Sequence, residues 1–372
     1  MKNRTDSSVA VTAGPSGLKR KVLALAVLAV LAGTVAGCGA SAGTGVQALP
    51  TSMEELVKQA ESEGTVAWSA PKPLEQMQPA IDLFEKKYPG IKVNYTNTKA
   101  PDQVSQLKME QAARKVSVDV AAAGELTVPP SLPLAETVDW SAYGIADENI
   151  YFEDKFVYIW AAPKVWAYNT GTVSPADLPR SWEDLLKPQW DNGQLAVESR
   201  ASFLTAWHLD PALGDDKALA WAQQLTGQQP HYTPNTTQSQ ALVETGQVAA
   251  GTSLINLVLQ AKSSGSPVEV APVSPTNTNE TFLYVPKGAP HPAAAVLLST
   301  FLNSDDAQAA LAETYNSRIP QETDCSNAGA IPVLTSLCAA NIEWRSTSTI
   351  ERYNELADFF PKAQKALGTD LG

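Results

Sequence analysis

From residue 53 onward the apolar positions switch between a helical period and a strand period. Met53, Leu56, Val57 and Ala60 recur on one helix face, with Glu54 and Glu55 in the first turn and Gly64 as a stop. Thr65 to Ser69 reads as a short strand running into the turn Ala70-Pro71-Lys72-Pro73. A second helix carries Ile81, Phe84 and Tyr88 on one face, admits Pro79 in its first turn, and ends at Pro89-Gly90. Ile91 to Tyr95 alternates as a strand, Gln103 to Lys115 is helical, and Val118 to Ala122 is a further apolar strand. This β-α-β-α-β succession predicts the α/β class, with a largely parallel sheet covered by helices on both faces. In open sheets of this kind ligands settle at the carboxyl ends of strands, where helix N-termini offer free N–H groups.

The middle of the chain continues in the same style. Phe156 to Tyr168 reads as a strand, and Ser181 with Asp184 forms a capping box for a helix. Helices are expected near Phe203 to His208, Lys217 to Gln224 and Ser239 to Glu244, and Pro292 opens a late helix through Val296, Leu297 and Phe301, with Ser304 capping the next. No repeat of fixed period is present. Two α/β lobes fit a chain of 372 residues.

The N-terminus departs from this pattern. Lys19, Arg20 and Lys21 precede an apolar run from Val22 to Val35, then Ala36, Gly37 and Cys38. The run makes only about 21 Å of helix, short of the ~30 Å hydrocarbon core, so a signal peptide fits better than a membrane span. Val35-Ala36-Gly37-Cys38 resembles the bacterial lipobox, which implies a lipid on Cys38, residues 1–37 as the removed signal peptide, and residues 38–50 as a flexible tether. The chain beyond that cleavage carries 22 basic and 38 acidic residues, a net charge of −16. With no basic excess, nucleic acid is excluded as a partner, and anionic headgroups repel the tethered body.

Catalytic signatures are missing: no Gly-x-Ser-x-Gly elbow, no His-Glu-x-x-His, no Cys-x-x-Cys. The three histidines, His208, His231 and His291, show no helical pairing for a metal, and no metal or cofactor is expected. Cys325 and Cys338 form an even pair in an exported chain, which invites a disulfide worth about 3 kcal/mol by loop-closure entropy. Among nine tryptophans, Trp68, Trp160 and Trp166 fall on strands expected to border a cleft.

The runs Phe84-Glu85-Lys86-Lys87-Tyr88-Pro89-Gly90-Ile91-Lys92-Val93, Asp177 to Leu186, Glu244 to Gly251 and Ala289 to Ala295 resemble, in order and at the expected separations, extracellular solute-binding proteins of ATP-driven (ABC) importers. The resemblance is nearest to the ferric-iron and related branch. It implies a two-lobed type II periplasmic-binding-protein fold with hinge strands: residues 51–157 and 275–372 in lobe 1, residues 158–274 in lobe 2, and Ala271 to Pro275 at the return crossing. It further implies a non-enzymatic, monomeric, lipid-anchored protein on the outer face of the bacterial cell membrane, which hands a small polar solute to an ABC permease.

At the matching cleft positions stand Trp68, Ser69 and Lys72 after the first strand, and Glu125 after the strand ending at Ala122. Ser199, Arg200 and Ser202 lie between a strand and a helix, Asn235 and Ser239 lie near another helix start, and Asn256 follows Leu254-Ile255. Arg200 beside a helix N-terminus suits a phosphonate, phosphate ester or carboxylate; Glu125 with Trp68 suits a polyamine or thiamine-like cation. Ferric iron is the alternative solute. Iron-binding members carry a His after the first strand and consecutive tyrosines after a Leu-Ile-Asn-like segment, whereas this chain has Ala70-Pro71-Lys72 and Leu257-Val258-Leu259. A surface enzyme acting on small molecules or glycans, and a binding subunit serving a sensor kinase, are the further alternatives.

Overall fold

The computed structural model describes residues 49–370; the lipobox, Cys38 and most of the tether lie outside them. The first third of the chain runs α1 (Met53–Glu63), β1 (Thr65–Ala70), α2 (Leu74–Lys87), β2 (Lys92–Asn97), α3 (Ala100–Ala112), β3 (Val120–Gly124) and the short α4 (Val128–Ser131). Then come β4 (Ile150–Tyr151), β5 (Phe156–Ala161), β6 (Lys164–Asn169), β7 (Leu195–Glu198), α5 (Thr205–Leu209) and α6 (Gly214–Leu225). β8 (His231–Thr233), α7 (Thr236–Glu244), β9 (Ala250–Leu254), α8 (Ile255–Ser263) and β10 (Val268–Ala271) complete the middle. The chain closes with β11 (Thr276–Asn277), β12 (Glu280–Tyr284), α9 (Pro292–Leu302), α10 (Asp305–Glu313), α11 (Pro332–Ala339), β13 (Trp344–Arg345) and α12 (Ile350–Ala366).

Local chemistry accounts for several boundaries. The Ser52 hydroxyl accepts from the Glu55 amide to start α1, and Gly64 at φ +72° ends it in the left-handed region that glycine enters freely. Ser304 and Thr349 cap α10 and α12 in the same way. Pro79 lies beyond the first turn of α2, which begins only at Leu74. The carbonyl it leaves without a helical donor is that of Glu75, an exposed residue that water can satisfy. Ser181 and Asp184 do form a reciprocal box, through the Asp184 amide to the Ser181 hydroxyl and the Ser181 amide to the Asp184 carboxylate, both 3.2 Å, but it caps only a single 3-10 turn, Glu183–Leu186.

Two large sheets result, in the orders β2-β1-β3-β12-β5-β4 and β10-β6-β9-β7-β8, and β11 pairs with β13 in a separate two-stranded sheet. β1 runs parallel to β2 and β3, and the returning β12 enters antiparallel between β3 and β5, so the first sheet is mixed. The single strand expected from Phe156 to Tyr168 divides at Ala162-Pro163: β5 stays in the first sheet and β6 starts the second. Proline has no N–H for a ladder, so the apolar run that looks continuous must leave its sheet there.

Apolar residues fill both faces of the first sheet. α9 lies on one face with Leu297, Leu298, Phe301 and Leu302 at 4% exposure or less, each contributing about 1.5–3 kcal/mol by burial. The other face joins a core that continues into the second sheet, where Trp166, Trp182, Phe203 and Trp221 pack edge-on or stacked at centroid separations of 5.1–6.5 Å. α12 packs against α4 next to the first sheet and against α5 and α6 next to the second. Arg345 reaches Asp210 at 3.0 Å, and the Thr369 hydroxyl donates to the Ser199 carbonyl at 2.8 Å. Cys325 and Cys338 are joined as a disulfide. Among the described residues no helix is long and apolar enough to cross a membrane.

Candidate functional site

The carboxyl ends of β3 and β7 and the start of β6 bring ionic groups from both sheets to one seam. Gly124, the last residue of β3, lies so close to β12 that a Cβ there would sit 2.7 Å from the Glu280 carbonyl oxygen. Glu125 follows in the left-handed region, φ +45°. The turn is fixed by the Thr127 hydroxyl, which accepts from the Gly124 amide at 3.0 Å and donates to the Gly124 carbonyl at 2.7 Å. Glu125 is thereby directed at Lys164, the first residue of β6, and the two form an ion pair.

Lys164 is 5% exposed and also donates to the Ser202 hydroxyl. Its ammonium lies 3.9 Å from Glu198, the wholly buried last residue of β7. Ser202 in turn donates to Glu198, and Arg200 donates to Glu198 at 3.0 Å while its other terminal nitrogen stands 3.8 Å from Glu125. Ala201, at φ +59°, makes the tight reversal that lets Glu198, Arg200 and Ser202 converge. Desolvation draws the Lys164 ammonium down to about 7, against the pull of Glu198 and with the help of Arg200.

A second cation stands on the first-sheet side. Lys72 sits in the turn after β1, where the Tyr95 hydroxyl donates to its carbonyl at 2.7 Å. Its ammonium lies 5.9 Å from the centroid of the buried Trp160 ring, a cation–π contact. Among the described residues it has no carboxylate partner and no hydrogen bond, and burial draws it down to about 8. The ionic cluster thus sets Lys164 and Arg200 against Glu125 and Glu198, and Lys72 is a separate cation after β1, over Trp160.

Other residues expected at the cleft take different places. Trp68 is 1% exposed in the core beneath this turn, edge-on to Tyr95 at 5.0 Å, with no partner for its indole N–H. Ser69 is buried, its carbonyl accepting from Gln103 at 3.0 Å. Asn235 caps α7 through the Gln238 amide at 3.0 Å, and the Ser239 hydroxyl donates to the Ala196 carbonyl at 3.0 Å, so both brace the second sheet. Ser199 holds β8 by donating its amide to the Thr233 carbonyl at 2.8 Å. Asn256, 1% exposed at the start of α8, leaves its side-chain oxygen without a partner.

Sequence reasoning missed Lys164 and Glu198. Each is a lone charge inside an apolar strand run, and a charge there is retained only with a counter-charge to meet it. It also missed an amide clasp that crosses between α2 and α8. Gln76 donates to Gln260 at 3.3 Å, Gln260 donates to the Thr314 carbonyl at 3.3 Å, and Asn316 donates to Gln76 at 3.1 Å. A cavity of about 520 Å³ lined by Tyr151, Tyr158 and Arg318 opens beside β4, at the outer edge of the first sheet, and shares no residue with the charged seam. Among the described residues no group of three or more His, Cys, Asp or Glu is placed to share a metal ion.

Residues 80–332 match the model of a family described as bacterial extracellular solute-binding protein. No curated protein matches the chain. Among solved structures, iron-bound HitA from Pseudomonas aeruginosa is similar at 19% identity, covering 81% of this chain and 99% of its own, with a TM-score of 0.62. An ABC transporter substrate-binding protein from Bradyrhizobium japonicum USDA 110 is similar at 20% identity, 80% and 99% coverage and a TM-score of 0.65. AgtB from A. tumefaciens R10, in complex with agropinic acid, is similar at 17% identity, 82% and 99% coverage and a TM-score of 0.59. Likeness at these identities establishes the two-lobed α/β fold.

Proposed function

The chain belongs to the bacterial extracellular solute-binding protein family, and from that premise we propose that it captures a small organic anion in the seam between two lobes and delivers it to an ABC permease. The proposal includes attachment to the outer face of the membrane through lipid on Cys38, and a non-enzymatic role. It takes lobe 1 as residues 51–157 with 275–372 and lobe 2 as residues 158–274. The sheets put the outgoing crossing slightly later, at Ala162-Pro163 after β5 ends, and the return between β10 and β12. Closure of the lobes on the solute gives the permease a shape to read.

The observation that carries the anion reading is the ammonium of Lys72, held over the Trp160 ring with no carboxylate partner among the described residues, together with the half-exposed Arg200 of the ionic cluster. A carboxylate or phosphonate supplies the missing negative charge, and the half-exposed Arg200 offers it forked donors. A cation such as a polyamine must instead compete with Lys164 and Arg200 for Glu125.

The test is a thermal-shift and calorimetric screen of methylphosphonate, glycerol 3-phosphate, succinate, citrate, putrescine, thiamine and ferric iron. A ligand at 100 times its dissociation constant adds about 2.7 kcal/mol to folding. An anion is expected to give the largest shift, and Lys72→Met and Arg200→Ala are each expected to weaken its binding by about 10- to 100-fold. A larger shift with ferric iron and a visible charge-transfer band, or with putrescine, would overturn the anion reading; turnover of any compound would overturn the binding role.

A further inference from the structure

We infer that Glu125 is a resident competitor for the solute: in the empty protein its carboxylate fills the place between Lys164 and Arg200 that the anionic group of the ligand takes on binding. The inference rests on the anion reading above and adds the residue that sets affinity and selectivity within it.

Three observations carry it. Glu125 is the member of the ionic cluster that arrives from the first sheet; Lys164, Glu198, Arg200 and Ser202 all belong to the second-sheet side. Without Glu125 that side holds Lys164 and Arg200 against one carboxylate, so with Lys164 protonated it attracts an anion from the facing side. Next, the two carboxylates differ in their freedom to leave. Glu198 is wholly buried and hydrogen-bonded by Arg200 and Ser202, with Lys164 at 3.9 Å, whereas Glu125 keeps 27% of its side chain exposed, is hydrogen-bonded by Lys164, and approaches Arg200 only to 3.8 Å, beyond hydrogen-bond length. Arg200 therefore has donors to spare, and withdrawing Glu125 into water carries a modest desolvation change. Finally, Glu125 adopts a left-handed backbone, φ +45°, in a turn that the Thr127 hydroxyl holds through both Gly124 backbone groups, so the carboxylate is presented across the seam by contacts on its own side and releasing Lys164 does not undo the turn.

An internal carboxylate in the ligand's place lowers the apparent affinity by the fraction of molecules in which that place is vacant. It also discriminates between ligands. An anion that engages both Lys164 and Arg200 in hydrogen-bond geometry displaces Glu125, while one that engages a single cation does not. The tie between the sheets through Glu125 and Lys164 further draws the empty protein toward its closed arrangement.

Wild type, Glu125→Gln, Glu125→Asp and Arg200→Ala of the whole protein are titrated calorimetrically with succinate and with methylphosphonate, and the empty forms are compared by small-angle scattering. Glu125→Gln is expected to bind the better probe about tenfold tighter than wild type, and to show a larger radius of gyration when empty. Glu125→Asp, which keeps the charge and retracts it, is expected to shift both in the same direction by less. Unchanged or weaker binding in Glu125→Gln, with binding still lost in Arg200→Ala, would overturn the competitor role and leave the anion reading standing. Binding of neither probe to any form would overturn both.

Discussion

On the second-sheet side of the seam, a wholly buried carboxylate, Glu198, gathers Ser202, Arg200 and Lys164 around it; on the first-sheet side, Lys72 has lost much of its water and faces only the ring of Trp160. The first arrangement is preorganised, because its charges hold one another whether or not a ligand is present. The second keeps an unmet electrostatic demand, which the proposed anion would meet. On the proposed reading the paired side supplies the shape that receives the anion and the unmet charge adds attraction, so Glu198 should bear chiefly on stability while Lys72 trades stability against affinity.

Glu198→Ala breaks the paired side and carries the largest expected effect. It leaves the Lys164 ammonium buried with Glu125 as its remaining carboxylate and removes the partner of Arg200. Destabilisation of about 3–5 kcal/mol is expected from removing one member of a buried ion pair. Denaturant unfolding measures it as a fall in midpoint at constant slope. A cost below about 1 kcal/mol would mean that the cluster is adaptable and that the two sides do not differ in preorganisation. Glu198→Gln, which retains an acceptor for Ser202 and Arg200, should cost less.

Lys72→Met sharpens the comparison from the other side. Removing an ammonium that has no carboxylate partner among the described residues, while retaining an apolar stem against Trp160, should stabilise the fold by about 1–2 kcal/mol, after allowance for its partial exposure. The same variant should lose anion affinity. A variant both less stable and weaker in binding would assign Lys72 to packing.

Why part of this site was legible in the sequence and part was not follows from the particular residues. Lys72, Glu125 and Arg200 stand in turns directly after strands, where an α/β pattern places ligand groups, and the structure brings Glu125 and Arg200 within 3.8 Å of each other. Lys164 and Glu198 were hidden because each lies in a strand whose neighbours are apolar, and only tertiary folding supplies their partners. Trp68 was misleading for a related reason. A tryptophan near a turn is equally suited to a cleft wall or to the core under it, and the strand's twofold alternation turns this one inward with Val66 and Ala70. The fold was clearest where helix caps and alternating strands coincide, as from α1 to β3. It was least clear at Pro163, where one apolar run serves two sheets, and in α12, whose contacts with both sides of the molecule leave no periodic signal of where it docks.

The smallest expected effect is a pair of opposing pH slopes. Lys72 titrates in the folded protein at about 8, below its ordinary value of 10.5. Across that window the unfolded chain holds a proton that the folded chain has released, so folding stability of the empty protein should rise with pH between about 8 and 10.5. Anion affinity should fall over the same range, because the bound anion requires the ammonium. Binding above pH 8 must then take up a proton, and calorimetry in buffers of different ionisation enthalpy reads that uptake directly. Lys164, drawn down to about 7, adds a stability slope of the same sign that begins at lower pH, so stability alone does not separate the two lysines. Proton uptake on binding does separate them: in Lys72→Met the uptake above pH 8 should vanish while the stability slope beginning near pH 7 persists. Uptake that survives the substitution would assign the titrating ammonium to Lys164, on the paired side of the seam, and remove Lys72 from binding.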